Sequence, residues 1–163
     1  MKKFKILFII IIGIFTSCDK NQSPETVDLE LQFLPQFNNM EFSYEIDSLI
    51  QSSTKDTIIF TRSDFLLSNF KLMADDGSII TFENTFAFVR GSSPEIISLP
   101  LSIPSGNYLG LSFDLGLDSA INHSDPSVWW PLHPLNPSFN NLHWGWTGGY
   151  VFAALEGYYQ NMG

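Results

Sequence analysis

Cysteine occurs once in the 163 residues, at Cys18. A single thiol excludes an internal disulfide framework and any CxxC zinc or redox pair. Basic residues are also scarce, with 8 Lys+Arg against 17 Asp+Glu and a net charge of −9. Three of the eight are Lys2, Lys3 and Lys5, so removing that end leaves 5 against 17, or −12. Such a balance disfavours nucleic acid, whose polyanionic backbone needs basic neutralisation. No HExxH is present, which withholds support from a zinc peptidase. No Gly-x-Ser-x-Gly elbow is present either, so nothing points to a serine hydrolase. Charged residues make up only 15% and hydrophobic residues 44%, a composition that builds a core rather than a disordered chain. The length suits one domain.

The first 18 residues, MKKFKILFIIIIGIFTSC, set three lysines before an apolar run, Ile6–Phe15. That is the layout of a secretory signal, and the run is short of the roughly 20 apolar residues that span a bilayer. Phe15-Thr16-Ser17-Cys18 resembles a bacterial lipobox. The resemblance implies cleavage before Cys18 and lipidation of that residue, which also explains an exported chain with one thiol. The expected organisation is a signal over 1–17, a polar tether over 18–26 containing Pro24, and one domain over 27–163.

The rest reads as all-β. Val27, Leu29, Leu31 and Phe33 alternate with polar residues, as do Leu109, Leu111, Phe113 and Leu115. Ile58–Phe60, Phe86–Val89 and Ile96–Leu99 are further short strands. Phe65–Met73, Asp75-Asp76-Gly77 and Ile79–Phe82 predict a hairpin, with Asp76-Gly77 supplying positive φ values. Phe65–Phe70 is also compatible with one helical turn. Ile103–Asn107 reads as a turn, and Trp144–Leu155 as a strand interrupted at Gly148-Gly149. No 3.6-residue apolar stripe is sustained after residue 25. An antiparallel β-sandwich, immunoglobulin-like or related, is the expected class.

Residues 116–143 break this texture with four prolines and many Asn and Ser. So long an irregular stretch within a compact domain is usually functional. All three histidines, His123, His133 and His143, and all four tryptophans, Trp129, Trp130, Trp144 and Trp146, fall within residues 123–146. Neutral imidazole suits copper, zinc, iron and nickel, although from spacing alone surface or hydrogen-bonded structural histidines are the stronger reading. The tryptophans suit stacking on sugar faces or packing in a core. For Trp146 and Tyr150 the core is the stronger reading.

The order of several motifs carries a resemblance. Ser68-Asn69-Phe70-Lys71-Leu72 precedes Asp75-Asp76-Gly77, then Ile103-Pro104-Ser105-Gly106-Asn107-Tyr108, Phe113–Asp118, Ile121-Asn122-His123 and Pro134-Leu135-Asn136. Last come Leu142-His143-Trp144-Gly145-Trp146-Thr147-Gly148-Gly149-Tyr150-Val151-Phe152 and Glu156-Gly157. In this order they resemble the MbnP-like family, copper-binding proteins of the periplasm or outer membrane found near methanobactin operons and as lipoproteins of Bacteroidota-type bacteria. The resemblance implies an antiparallel β fold and a mononuclear copper site made of histidine and a tryptophan oxidised to kynurenine. An intact indole nitrogen is only a donor. Ring opening yields an aromatic amine with an available lone pair. Carried over by position, His123 and His143 are the ligand candidates, Trp144 or Trp146 is the candidate for oxidation, and His133 matches no family element. A dihaem peroxidase-like partner would supply the oxidant. Leu142 stands where many relatives have Met. Relatives also continue for several tens of residues past Glu156-Gly157, so the domain is expected to be incomplete at its C-terminus.

The expectation is therefore a lipid-anchored copper-binding protein of the bacterial envelope, facing the periplasm or the cell surface, and not an enzyme. Its partners would be copper, the membrane through Cys18 and the dihaem protein, with no nucleic acid. The competing expectations are a glycan-binding or adhesion lipoprotein without metal and a structural module with no site.

Overall fold

A computed structural model describes residues 25–34, 36–37, 40–41, 44, 49–51, 56–92 and 95–161. The signal, Cys18 and most of the tether lie outside these residues. The strands in chain order are β1 (Thr26–Phe33), β2 (Gln36–Phe37), β3 (Met40–Glu41), β4 (Leu49–Gln51), β5 (Asp56–Ala74), β6 (Ile79–Thr81), β7 (Ala87–Arg90), β8 (Glu95–Pro104), β9 (Tyr108–Leu115) and β10 (Ala153–Asn161). Between β9 and β10 lie two single-turn helices, α1 (Ser119–Asn122) and α2 (Pro137–Asn140), and a 3₁₀ turn at Pro126–Val128. The fold is all-β and sandwich-like, as expected. Among the described residues no helix is long and apolar enough to cross a membrane.

The 19-residue β5 organises everything else. Along one edge it pairs antiparallel with β10 and then β9; it also pairs antiparallel with β4, β7 and β6. Two further antiparallel pairs, β1–β8 and the short β2–β3, form separate sheets. Leu67, Phe70 and Leu72 of β5 join Phe82, Val89 and Ile103 in the buried core, against Leu29, Leu31 and Phe33 of β1. Leu66 and Phe88 belong to a different buried cluster, with the 117–152 segment. β5 is thus covered on both faces. Two-sided burial produces the unbroken apolar run at 65–67, which periodicity cannot separate from a helical turn. Asn69, at φ 54, sits in a register irregularity that returns Phe70 to the Leu67 face.

Three local expectations need correction. The hairpin between β5 and β6 forms, but only Gly77 has positive φ (83); Asp76 instead accepts the Ser78 N–H at 2.8 Å. That Ser78 contact holds its carboxyl below the usual range. Pro104 closes β8, so the turn begins at Ser105. Trp144–Phe152 is not a strand, because Gly145 (φ 86) and Gly149 (φ 67) fold it into a turn, and β10 starts only at Ala153.

Candidate metal centre

The irregular segment runs from β9 to β10, and Leu66 of β5 hydrogen-bonds to both of its ends. The Leu66 N–H donates to Phe152 O at 2.9 Å, and Leu66 O accepts from the Gly116 N–H at 2.8 Å. Ser68 Oγ donates to Gly116 O at 2.7 Å. Gly116 is required here: its φ is 117, and a Cβ would lie 2.5 Å from the Phe152 ring. The excursion between them is a closed loop resting on the sheet face formed by Leu66 of β5 and Phe88 of β7, with Leu135, Leu142 and Tyr150 as its own buried apolar residues.

Without a strand ladder, short backbone turns and polar side chains together satisfy the loop backbone. Asp118 accepts from Ala120 and Ile121 N–H (2.8 and 3.0 Å), and Asp125 from Ser127 N–H (2.8 Å). The Ser127 contact holds the Asp125 carboxyl low. Asn136 caps α2 through the Ser138 N–H at 2.9 Å and donates to Trp129 O at 2.8 Å. Asn140, fully buried, accepts from Leu142 N–H at 2.8 Å and donates to Pro134 O at 2.7 Å.

This scaffold relates two of the three histidines through Tyr150. His143 and Tyr150 form an isolated antiparallel bridge, closed by Trp144 N–H to Gly149 O (2.8 Å) and Val151 N–H to Leu142 O (2.7 Å). Their rings meet edge-on at 4.7 Å. Asn122, next to His123, accepts the Tyr150 N–H at 2.7 Å, and its amide nitrogen lies 3.5 Å from His123 Nε2. A Cβ on Gly149 would sit 2.6 Å from that amide, so glycine permits the contact. Tyr150 is buried, its hydroxyl donates to Leu135 O, and burial raises its pKa against an opposing contact from Trp129.

His133, which reaches Tyr150 through Leu135, is differently employed. It is 6% exposed, stacked on Trp129 at 4.2 Å and 8°, and flanked edge-on by Trp130 at 4.3 Å. Its Nδ1 accepts the Leu135 N–H at 3.0 Å. The proton of the neutral ring then resides on Nε2, and burial lowers the pKa, so His133 is a neutral structural histidine without a ready lone pair. His143 Nδ1 similarly accepts the Gly145 N–H, at 3.2 Å. A metal at His143 must displace that contact or exchange the tautomer. Gly145 has open space around its Cα, which leaves the turn room to adjust. Among the described residues no three His, Cys, Asp or Glu side chains converge on one point. The site offers a soft ion two imidazoles at most from this set.

The MbnP family model matches residues 26–163. The chain belongs to the MbnP family. Among solved structures, MbnP from Methylosinus trichosporium is similar, at 16% identity and a TM-score of 0.56 over 80% of this chain and 54% of that one. That likeness concerns the fold, and the chain spans about half the length of that protein. No curated protein matches.

In this MbnP-family chain the two tryptophans of the His143 turn are not on a strand and share no sheet face. Both face solvent, Trp144 at 79% and Trp146 at 69% exposure, and Trp130 is 62% exposed. Core packing therefore holds for Tyr150 and not for Trp146. Trp129 is the partly buried indole, and its buried Nε1–H lies toward the Tyr150 hydroxyl without hydrogen-bond geometry. Sequence reasoning did not single out Asn122 or Asn140, although Asn122 adjoins His123 in the family motif. It also passed over Arg62, whose role has no local signature because all its partners are distant or generic.

Proposed function

We propose that this is an exported, lipid-anchored protein of the bacterial envelope that binds copper as cargo through His123 and His143 and catalyses no reaction. The observation that carries the reading is the Asn122–Tyr150–His143 arrangement, which ties both candidate imidazoles to one residue in a chain of the MbnP family. Neutral imidazoles suit copper, and two of them serve the low coordination numbers of Cu(I). Lipidation at Cys18 would hold the domain at a membrane. An oxidised tryptophan at 144 or 146, made by a dihaem peroxidase-like partner, would add an aromatic amine. Solvent exposure of both indoles fits attack by an external oxidant.

Anaerobic Cu(I) titration against a competing chelator tests the core of the proposal. The wild type should bind one equivalent more tightly than the His123→Ala, His143→Ala double variant; equal affinities would refute it. Intact-mass analysis of protein from the native host tests the oxidation separately, through added mass on a peptide from 129–146. Exposure of Trp130, Trp144 and Trp146 favours a second reading, a glycan-binding surface, and argues against a module with no site. Glycan binding that survives chelation and loss of both histidines would establish it.

A further inference from the structure

Arg62 joins β5, β10 and the limb of the loop leading to His143. Its Nε contacts Asp64 on β5 at 2.7 Å, and Nη1 contacts Glu156 on β10 at 3.1 Å. Nη2 donates to two backbone carbonyls, Asn140 O at 3.0 Å and Asn141 O at 3.3 Å. Those carbonyls end α2, a single turn whose C-cap, Asn141, is left-handed at φ 54. Terminal helix carbonyls have no intrahelical partner, and a cation there satisfies them. Burial pulls the guanidinium pKa down, but Asp64 and Glu156 outweigh it, so Arg62 stays charged. Leu142 and His143 follow immediately, and the buried Asn140 amide fixes the Leu142 N–H. Phe139 of the same limb also packs on Phe88 at 5.7 Å and lies under Arg90 at 5.9 Å, but the two carbonyls that end α2 are held by one planar fork, which a lysine cannot reproduce.

We infer that Arg62 is a positioning residue: it sets the placement of the His143 limb against the β5–β10 sheet and thereby the geometry of the proposed copper site, on whose reading the metal half of this inference rests. The role differs from general stabilisation in where its loss is felt. The carbonyls of Asn140 and Asn141 would be released while β5 keeps its strand pairing.

The test compares full-length Arg62→Lys with Leu72→Ala, a control that weakens the opposite core, far from the loop. Amide hydrogen exchange is measured without metal at Trp144 and Val151, which close the His143–Tyr150 bridge, and at Phe70 and Leu72 in the sheet. Arg62→Lys should accelerate Trp144 and Val151 by about tenfold more than the sheet amides, whereas Leu72→Ala should accelerate both sets together. Equal acceleration of both sets in Arg62→Lys would overturn the inference. Cu(I) affinity is read on the same proteins. Loss of a residue that orients a metal ligand costs roughly 10–100-fold in affinity, so Arg62→Lys should fall by about tenfold and Leu72→Ala should match wild type. Wild-type-like affinity in Arg62→Lys would remove the link to the metal. If the wild type binds no Cu(I), the copper reading falls, and the exchange data still decide whether Arg62 places the limb.

Discussion

The two faces of β5 are covered by regions built on opposite principles. Toward β1 and β8, backbone pairs with backbone, and the core is Leu67, Phe70, Leu72 and their apolar neighbours. Toward the loop, short backbone turns share the work with polar side chains, with Asp118, Asn122, Asn136, Asn140, His133 and His143 each accepting a main-chain N–H. The first region is redundant, since many contacts share one cooperative sheet. In the second, each bond is a separate device, and its loss leaves a particular group unsatisfied. A surface that must present histidines and indoles in an irregular arrangement is served by the second principle.

The comparison can be broken by substitution. Phe70→Ala should have the largest effect, about 3–5 kcal/mol for truncating a buried Phe, and should lower the thermal midpoint of sheet and loop signals together. Asn140→Ala should cost about 2–3 kcal/mol, because it strands the Leu142 N–H and the Pro134 carbonyl. Its loss should appear first in near-UV tryptophan signals while far-UV strand signals persist. A single coincident transition in Asn140→Ala would mean that loop and sheet are one cooperative unit. Gly116→Ala should cost on the order of 1–3 kcal/mol through overpacking against Phe152 and should loosen both ends of the loop at Leu66.

The smallest effect is pH-dependent. Burial depresses the pKa of His133 in the folded protein. The unfolded chain therefore binds the proton more readily, and stability is fully present above the unfolded value of about 6.5 and declines as pH falls below it. His133→Asn, which keeps an acceptor for the Leu135 N–H, should flatten that decline in urea titrations between about pH 7 and pH 5. An unchanged slope would place the acid sensitivity elsewhere.

The same contrast explains what could be read from the sequence. Half-buried β1 and β9 announce themselves by alternation at Val27–Phe33 and Leu109–Leu115. β5 is harder, because Phe65-Leu66-Leu67 faces cores on both sides and shows no period. The position of the candidate site was legible, since His and Trp are confined to one segment. Its geometry was not: side-chain-to-backbone bonds such as Asn122 to Tyr150 link residues far apart in the chain and leave no spacing to detect. Exposure of Trp146 follows from Gly145 and Gly149 at positive φ, which reads as turn chemistry only once the chain path is known.

The copper reading stands on His123 and His143 acting as one site organised around Tyr150. Long-range 1H–15N spectra of the histidine rings during Cu(I) addition test it most directly. His123 and His143 should shift together and saturate at one equivalent while the His133 signals stay in place. A shift confined to one of the pair, or one dominated by His133, would contradict the account.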